Sequence, residues 1–269
     1  MKHLALNIFN FYIYFNVHVA LSVVALYLIF NQFSIDNYLF FVFFSTVLAY
    51  NIIRLFNFKS NRFFIKKFFV KYKNLIFISL LISSLLSIVF YLKLDLPAQF
   101  LLIPFLAISF FYNLDFKYAP FLKLRNNGTV KIISVAVVWS GLTVLIPLIN
   151  SQNYKGIEIT IRFLWVLFYV LMLTLSFDQR DLLIDKLHTQ TLPQKYSKKL
   201  FYIYLFLSII LIVLSMFIFQ GKQLFITELI IILSTYLCYR STAQKSFYYT
   251  AFWIEALPVL WLLLLYLVK

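Results

Sequence analysis

The sequence predicts an all-α polytopic membrane protein, a single bundle of nine transmembrane helices with its N-terminus inside. Three observations lead there. Of the 269 residues, 63% are apolar and only 12% charged, far from the averages of water-soluble domains. Apolar runs of about twenty residues recur along the whole chain, each long enough to cross roughly 30 Å of hydrocarbon. The basic residues, finally, divide unevenly between alternate connections. Polar faces at helical period, which a soluble bundle needs, are missing.

The spans fall at 11–30, 36–56, 74–92, 97–113, 129–149, 159–177, 200–219, 223–240 and 247–268. The first follows one lysine without a convincing small-x-small cleavage site, so no cleavable signal is expected. It carries His18, whose lone position favours helix packing over metal binding. The second span ends at Arg54. Between it and the third, Arg62-Phe63-Phe64-Ile65-Lys66-Lys67-Phe68-Phe69 alternates basic and aromatic pairs as an interfacial helix does. A short connection at Lys93 separates the third span from the fourth, which holds Pro104. The fifth contains Lys131, the small pair Ala136 and Ser140, and Pro147; prolines are tolerated here as kinks. The sixth runs into an acidic cluster. Cys238, the only cysteine, sits in the eighth, so no intrachain disulfide is possible. The ninth holds Glu255 and Pro258.

With the N-terminus inside, nineteen Lys and Arg residues lie on the cytoplasmic side, and only Lys93, Lys155, Arg162, Lys222 and Lys269 lie opposite. This bias sets the orientation and supports the odd helix number. The net charge of +15 is therefore a topology and lipid-surface signal, and nucleic acid is not an expected partner. No Gly/Ser/Pro-rich linker interrupts the chain, so residues 1–269 read as one domain. A bacterial inner membrane is the expected location.

Asp178, Asp181 and Asp185 stand within eight residues of a chain that has nine acidic residues in all. On a helix, these spacings bring the three carboxylates to within about 60° of one another. Like charges on one face call for a cation, and Mg²⁺ bridging carboxylates to a substrate diphosphate is the chemistry such a cluster suits. An allylic cation left by the departing diphosphate would be stabilised by aromatic faces. A cation pathway or proton relay is the competing reading. There is also an internal echo, Ala49-Tyr50-Asn51 against Ser176-Phe177-Asp178, each closing a span on the same side.

The motif Asp178-x-x-Asp181-x-x-x-Asp185 followed by Thr191-Leu192-Pro193 resembles the second aspartate motif of the UbiA-type membrane prenyltransferases. Tyr112-Asn113 and the stretch from Lys131 through Trp139-Ser140 to Pro147 are similar in weaker fashion. The resemblance implies nine helices, an inside N-terminus, and Mg²⁺ on Asp178, Asp181 and Asp185. It also implies transfer of an isoprenyl group from a prenyl diphosphate to a lipophilic acceptor within the lipid bilayer. Asn51, Arg54 and Lys131 are the expected diphosphate contacts. The family's first motif does not match: Asn51 is kept, but Ile52, Leu55 and Lys59 occupy its acidic positions. Whether the chain is an enzyme is therefore open, and a non-catalytic isoprenoid-binding or accessory protein of the same fold is the alternative.

Overall fold

The computed structural model describes residues 2–56, 62–113, 127–151, 153–182 and 191–269. All regular structure among them is helical: α1 Lys2–Tyr14, α2 Val17–Phe30, α3 Asn37–Phe56, α4 Phe63–Lys71, α5 Lys73–Leu92, α6 Leu96–Asn113, α7 Gly128–Ser140, α8 Ile146–Ser151, α9 Gly156–Arg180, α10 Leu192–Lys195, α11 Leu200–Met216, α12 Gly221–Tyr239 and α13 Leu257–Tyr266. Among the described residues seven helical segments are long and apolar enough to cross a membrane. The pair α1–α2 adds an eighth if it counts as one span, and α6 is a shorter apolar helix. Each of the nine predicted spans overlies one of these elements.

The first span is not one rod. Its two halves meet at an angle of 60°, because Asn16 takes a left-handed backbone conformation, φ 58°, that Asn tolerates better than other non-glycine residues. The buried Asn51 amide from α3 fixes this break. It donates to Phe15 O and Val47 O, both at 2.7 Å, and accepts from Asn16 at 3.2 Å.

Two π turns interrupt other spans. At Gly141–Leu145 the Ile146 N–H reaches back five residues to Gly141 O, and Pro147 has no N–H to return to Thr143 O. The carbonyls left over are taken from outside the helix: Tyr38 donates to Leu142 O at 3.0 Å and Asn31 to Thr143 O at 2.8 Å. The second π turn, Tyr249–Ile254, precedes Pro258 in the same way. Here His18 bonds Phe252 O at 2.9 Å and Ser22 donates to Glu255 O. His18 is thus a helix-packing residue, as its position suggested.

Burial sorts the helices. About half of the segments Gly128–Ser151 and Gly156–Arg180 is buried, against 17% for Lys73–Leu92, which turns its Leu and Ile side chains outward. The central pair α7 and α9 pack on each other. Beneath them Trp165, Tyr169, Trp261, Phe30 and Phe219 form an aromatic plug. At the other end α4 lies across the bundle. It buries Ile65, Phe68 and Phe69 against Phe15 and Tyr14 while leaving Phe63 outside, matching the interfacial character of its sequence.

Candidate functional site

The C-terminal ends of α3 and α9, the start of α7 and the second π turn converge at the α4 end of the bundle. They enclose three adjoining cavities of about 150, 210 and 230 Å³, and Tyr50 lines all three. The smallest is almost wholly apolar, walled by α3, α6 and α7 through Phe41, Phe105, Tyr112, Trp139 and Leu142. The second contains Lys131, Asp178, Asp181 and Glu255; the third contains Arg54, Arg180 and Glu255. Phe177, Val19, Tyr50 and Glu255 are common to the two polar chambers. Tyr50 is held by Trp139, whose indole N–H donates to its hydroxyl at 2.9 Å.

Lys131 stands in the first turn of α7, which Asn127 caps by accepting from Thr129 N and Val130 N. Its Nζ lies 2.5 Å from Asp178 Oδ1, on a side chain only 1% exposed. Asp181 follows the last residue of α9 and meets two guanidinium groups. Arg180 grips it through Nε at 2.9 Å and Nη2 at 2.6 Å, and Arg62 Nη2 reaches it at 2.8 Å. Both arginines stack on Phe247, and Arg180 also covers Phe177. Arg180 Nη1 donates to Thr250 at 2.7 Å, tying the pair to the second π turn. Burial alone would raise the Asp181 pKa, but the hydrogen bonds and charges of Arg180 and Arg62 outweigh it and hold the carboxyl below its ordinary value.

The expected site residues are thus distributed as follows. Asp178, Asp181, Lys131 and Arg54 reach the cavities, Arg54 also donating to Tyr14 O. Asn51 does not line them; its amide is spent on the α1–α2 break. Asp185 and Lys59 lie outside the described residues. Glu255 and the Arg62–Asp181–Arg180 grouping emerge only in three dimensions. Apart from Asp36 at the first position of the second span, Glu228 and Glu255 are the only acids inside the predicted spans, a signal that was available.

Of the three expected Mg²⁺ ligands the structure describes two, Asp178 and Asp181. Asp178 and Asp181 are each engaged by cationic side chains, and no group of three His, Cys, Asp or Glu side chains converges among the described residues. The first-motif positions offer Ile52 and Leu55, which bring no oxygen ligands.

No family model matches the chain, and no curated protein matches it. A solved structure of digeranylgeranylglyceryl phosphate synthase does, at a TM-score of 0.58 and 18% identity, over 97% of this chain and 96% of that one. The chain therefore shares the fold of that membrane synthase.

Proposed function

We propose that the protein is a UbiA-like membrane prenyltransferase. It would move an isoprenyl group from a prenyl diphosphate to a lipophilic acceptor at the cytoplasmic face of a bacterial inner membrane. The observation that carries this reading is an apolar chamber that shares Tyr50, Tyr112 and Trp139 with one charged chamber, and Tyr50 and Ile53 with the other, in the fold of a membrane synthase that handles prenyl chains. An isoprenyl tail suits the walls of Phe41, Phe105 and Leu142, and the diphosphate suits the Lys131 and Arg180 side. At the junction, Tyr50, Trp139 and Phe177 offer aromatic faces to the reacting carbon. The bond from that carbon to the diphosphate oxygen breaks, a bond to the acceptor nucleophile forms, and the acceptor's proton leaves to solvent or a nearby base. Glu255, which lines both polar chambers, is the base we assign to this step.

The nine-span, N-inside topology supports the same assignment. It puts the ends of α3 and α9 and the start of α7 on the basic, cytoplasmic side. The test is release of diphosphate from a panel of prenyl diphosphates by the purified protein in lipid nanodiscs, with lipophilic phenol and alcohol acceptors. Product formation that requires both substrates supports the proposal. Tight binding of prenyl diphosphate with no turnover favours the second reading, a non-catalytic isoprenoid-binding protein. That reading draws on Ile52 and Leu55 at the acid positions and on the structural use of Asn51. Absence of both binding and turnover refutes each of them.

A further inference from the structure

Among the described residues, Lys131, Arg54 and Arg180 line the two polar chambers and Arg62 reaches Asp181 beside them, four cations against the three carboxylates Asp178, Asp181 and Glu255. A Mg²⁺ site draws on carboxylate oxygens free to ligate, and here both described aspartates are already paired with ammonium or guanidinium groups. We propose that this site holds a diphosphate headgroup on arginine and lysine side chains, without a divalent cation. The inference rests on the prenyltransferase reading for the ligand's tail and concerns only how its head is neutralised.

The geometry around Asp181 carries the argument. Two guanidinium planes converge on one carboxylate at 2.6–2.9 Å, and rings of Phe247 and Phe177 fix the planes in place. Forked donors arranged for a carboxylate are arranged equally well for a phosphate, which presents oxygens at similar spacing. Asp181 thus occupies a position that phosphate oxygens would share or take over. Lys131 brings a compact positive charge to the adjoining wall, and Arg54 a third guanidinium to the other chamber. On the opposite helix, where the related motif would place metal-binding acids, Ile52 and Leu55 stand instead. Charge lost with those acids and their metal is returned by side chains.

The experiment is calorimetric binding to the full-length protein in nanodiscs, using geranyl diphosphate and inorganic diphosphate, each in Mg²⁺ and in EDTA. The expected Kd for geranyl diphosphate differs by less than about twofold between the two buffers. Arg180→Ala weakens binding about tenfold in EDTA, the share of a charge-assisted contact. Asp181→Asn keeps the shape of the side chain and tests the same point from the other side: removing the competing carboxylate tightens binding, by about fivefold. Binding that EDTA abolishes, together with loss in Asp181→Asn, overturns the inference and leaves the prenyltransferase proposal standing. Metal-independent binding of inorganic diphosphate with no gain from the geranyl tail upholds the inference and refutes that proposal. No binding of either probe in either buffer overturns both.

Discussion

Lys131→Met removes one charge from the most buried ion pair of the site and leaves the stem volume nearly unchanged. Asp178, 1% exposed, then keeps its carboxylate with one cation fewer. Breaking a buried pair from one side costs about 3–5 kcal/mol, since the remaining charge stays desolvated. The Lys131 side chain is 24% exposed, so water enters from its side and the low end, about 3 kcal/mol, is expected. For a chain of this size, that lowers the midpoint of thermal unfolding by roughly 6–12 °C. Asp178→Asn in the same background removes the stranded charge and should recover at least half of the loss, about 1.5 kcal/mol. Scanning fluorimetry of the wild type, both single variants and the double variant in one detergent completes the cycle. A shift below about 2 °C for Lys131→Met, or a double variant as unstable as both singles combined, would show that the pair is not a stabilising unit.

Three further outcomes are expected. Asp181 has a folded pKa below its ordinary value of 3.8, so its stabilising effect is complete above that value and is lost as pH falls through the folded pKa. Asp181→Asn should therefore flatten the pH dependence of unfolding below about pH 4, while an unchanged acid limb would contradict the pairing with Arg62 and Arg180. Gly141→Ala places a methyl group against the Phe105 ring. It should cost about 1–3 kcal/mol of overpacking and reduce the contribution of the geranyl tail to binding, with wild-type affinity counting against the apolar chamber as tail site. Asn51→Leu strands Phe15 O and the Asn16 side-chain N–H and should destabilise by about 2–4 kcal/mol, measured by chemical denaturation, with an unchanged midpoint counting against Asn51 as the clamp of the break.

The helices were legible because run length alone demands them, and α4 was legible from its alternating basic and aromatic pairs. The break at Asn16 was not. Apolar residues continue across it, and the group that stabilises it, Asn51, is 35 residues away. The aspartates drew attention by their spacing, but what they bind depends on partners 47 and 119 residues distant, Lys131 and Arg62. No local pattern separates a carboxylate waiting for a metal from one already matched by an arginine. The internal echo was informative in an unexpected way. Its aromatic members, Tyr50 and Phe177, both wall the two polar chambers, whereas its polar members diverge, Asn51 to the helix break and Asp178 to Lys131.

The second π turn has a bearing on how such a site arises. A π turn carries one residue more than the α-helical path it replaces, and that residue rotates everything beyond it by about 100° relative to what precedes it. In Tyr249–Ile254 the insertion lets Trp253, 60% exposed, face outward while Glu255, two positions on, borders both polar chambers. Deleting a single residue from this stretch would restore a regular helix and swing the carboxylate away from Arg54 and Arg180, with no change in any side chain of the site. One codon gained or lost is then enough to switch a membrane helix between passive wall and working surface.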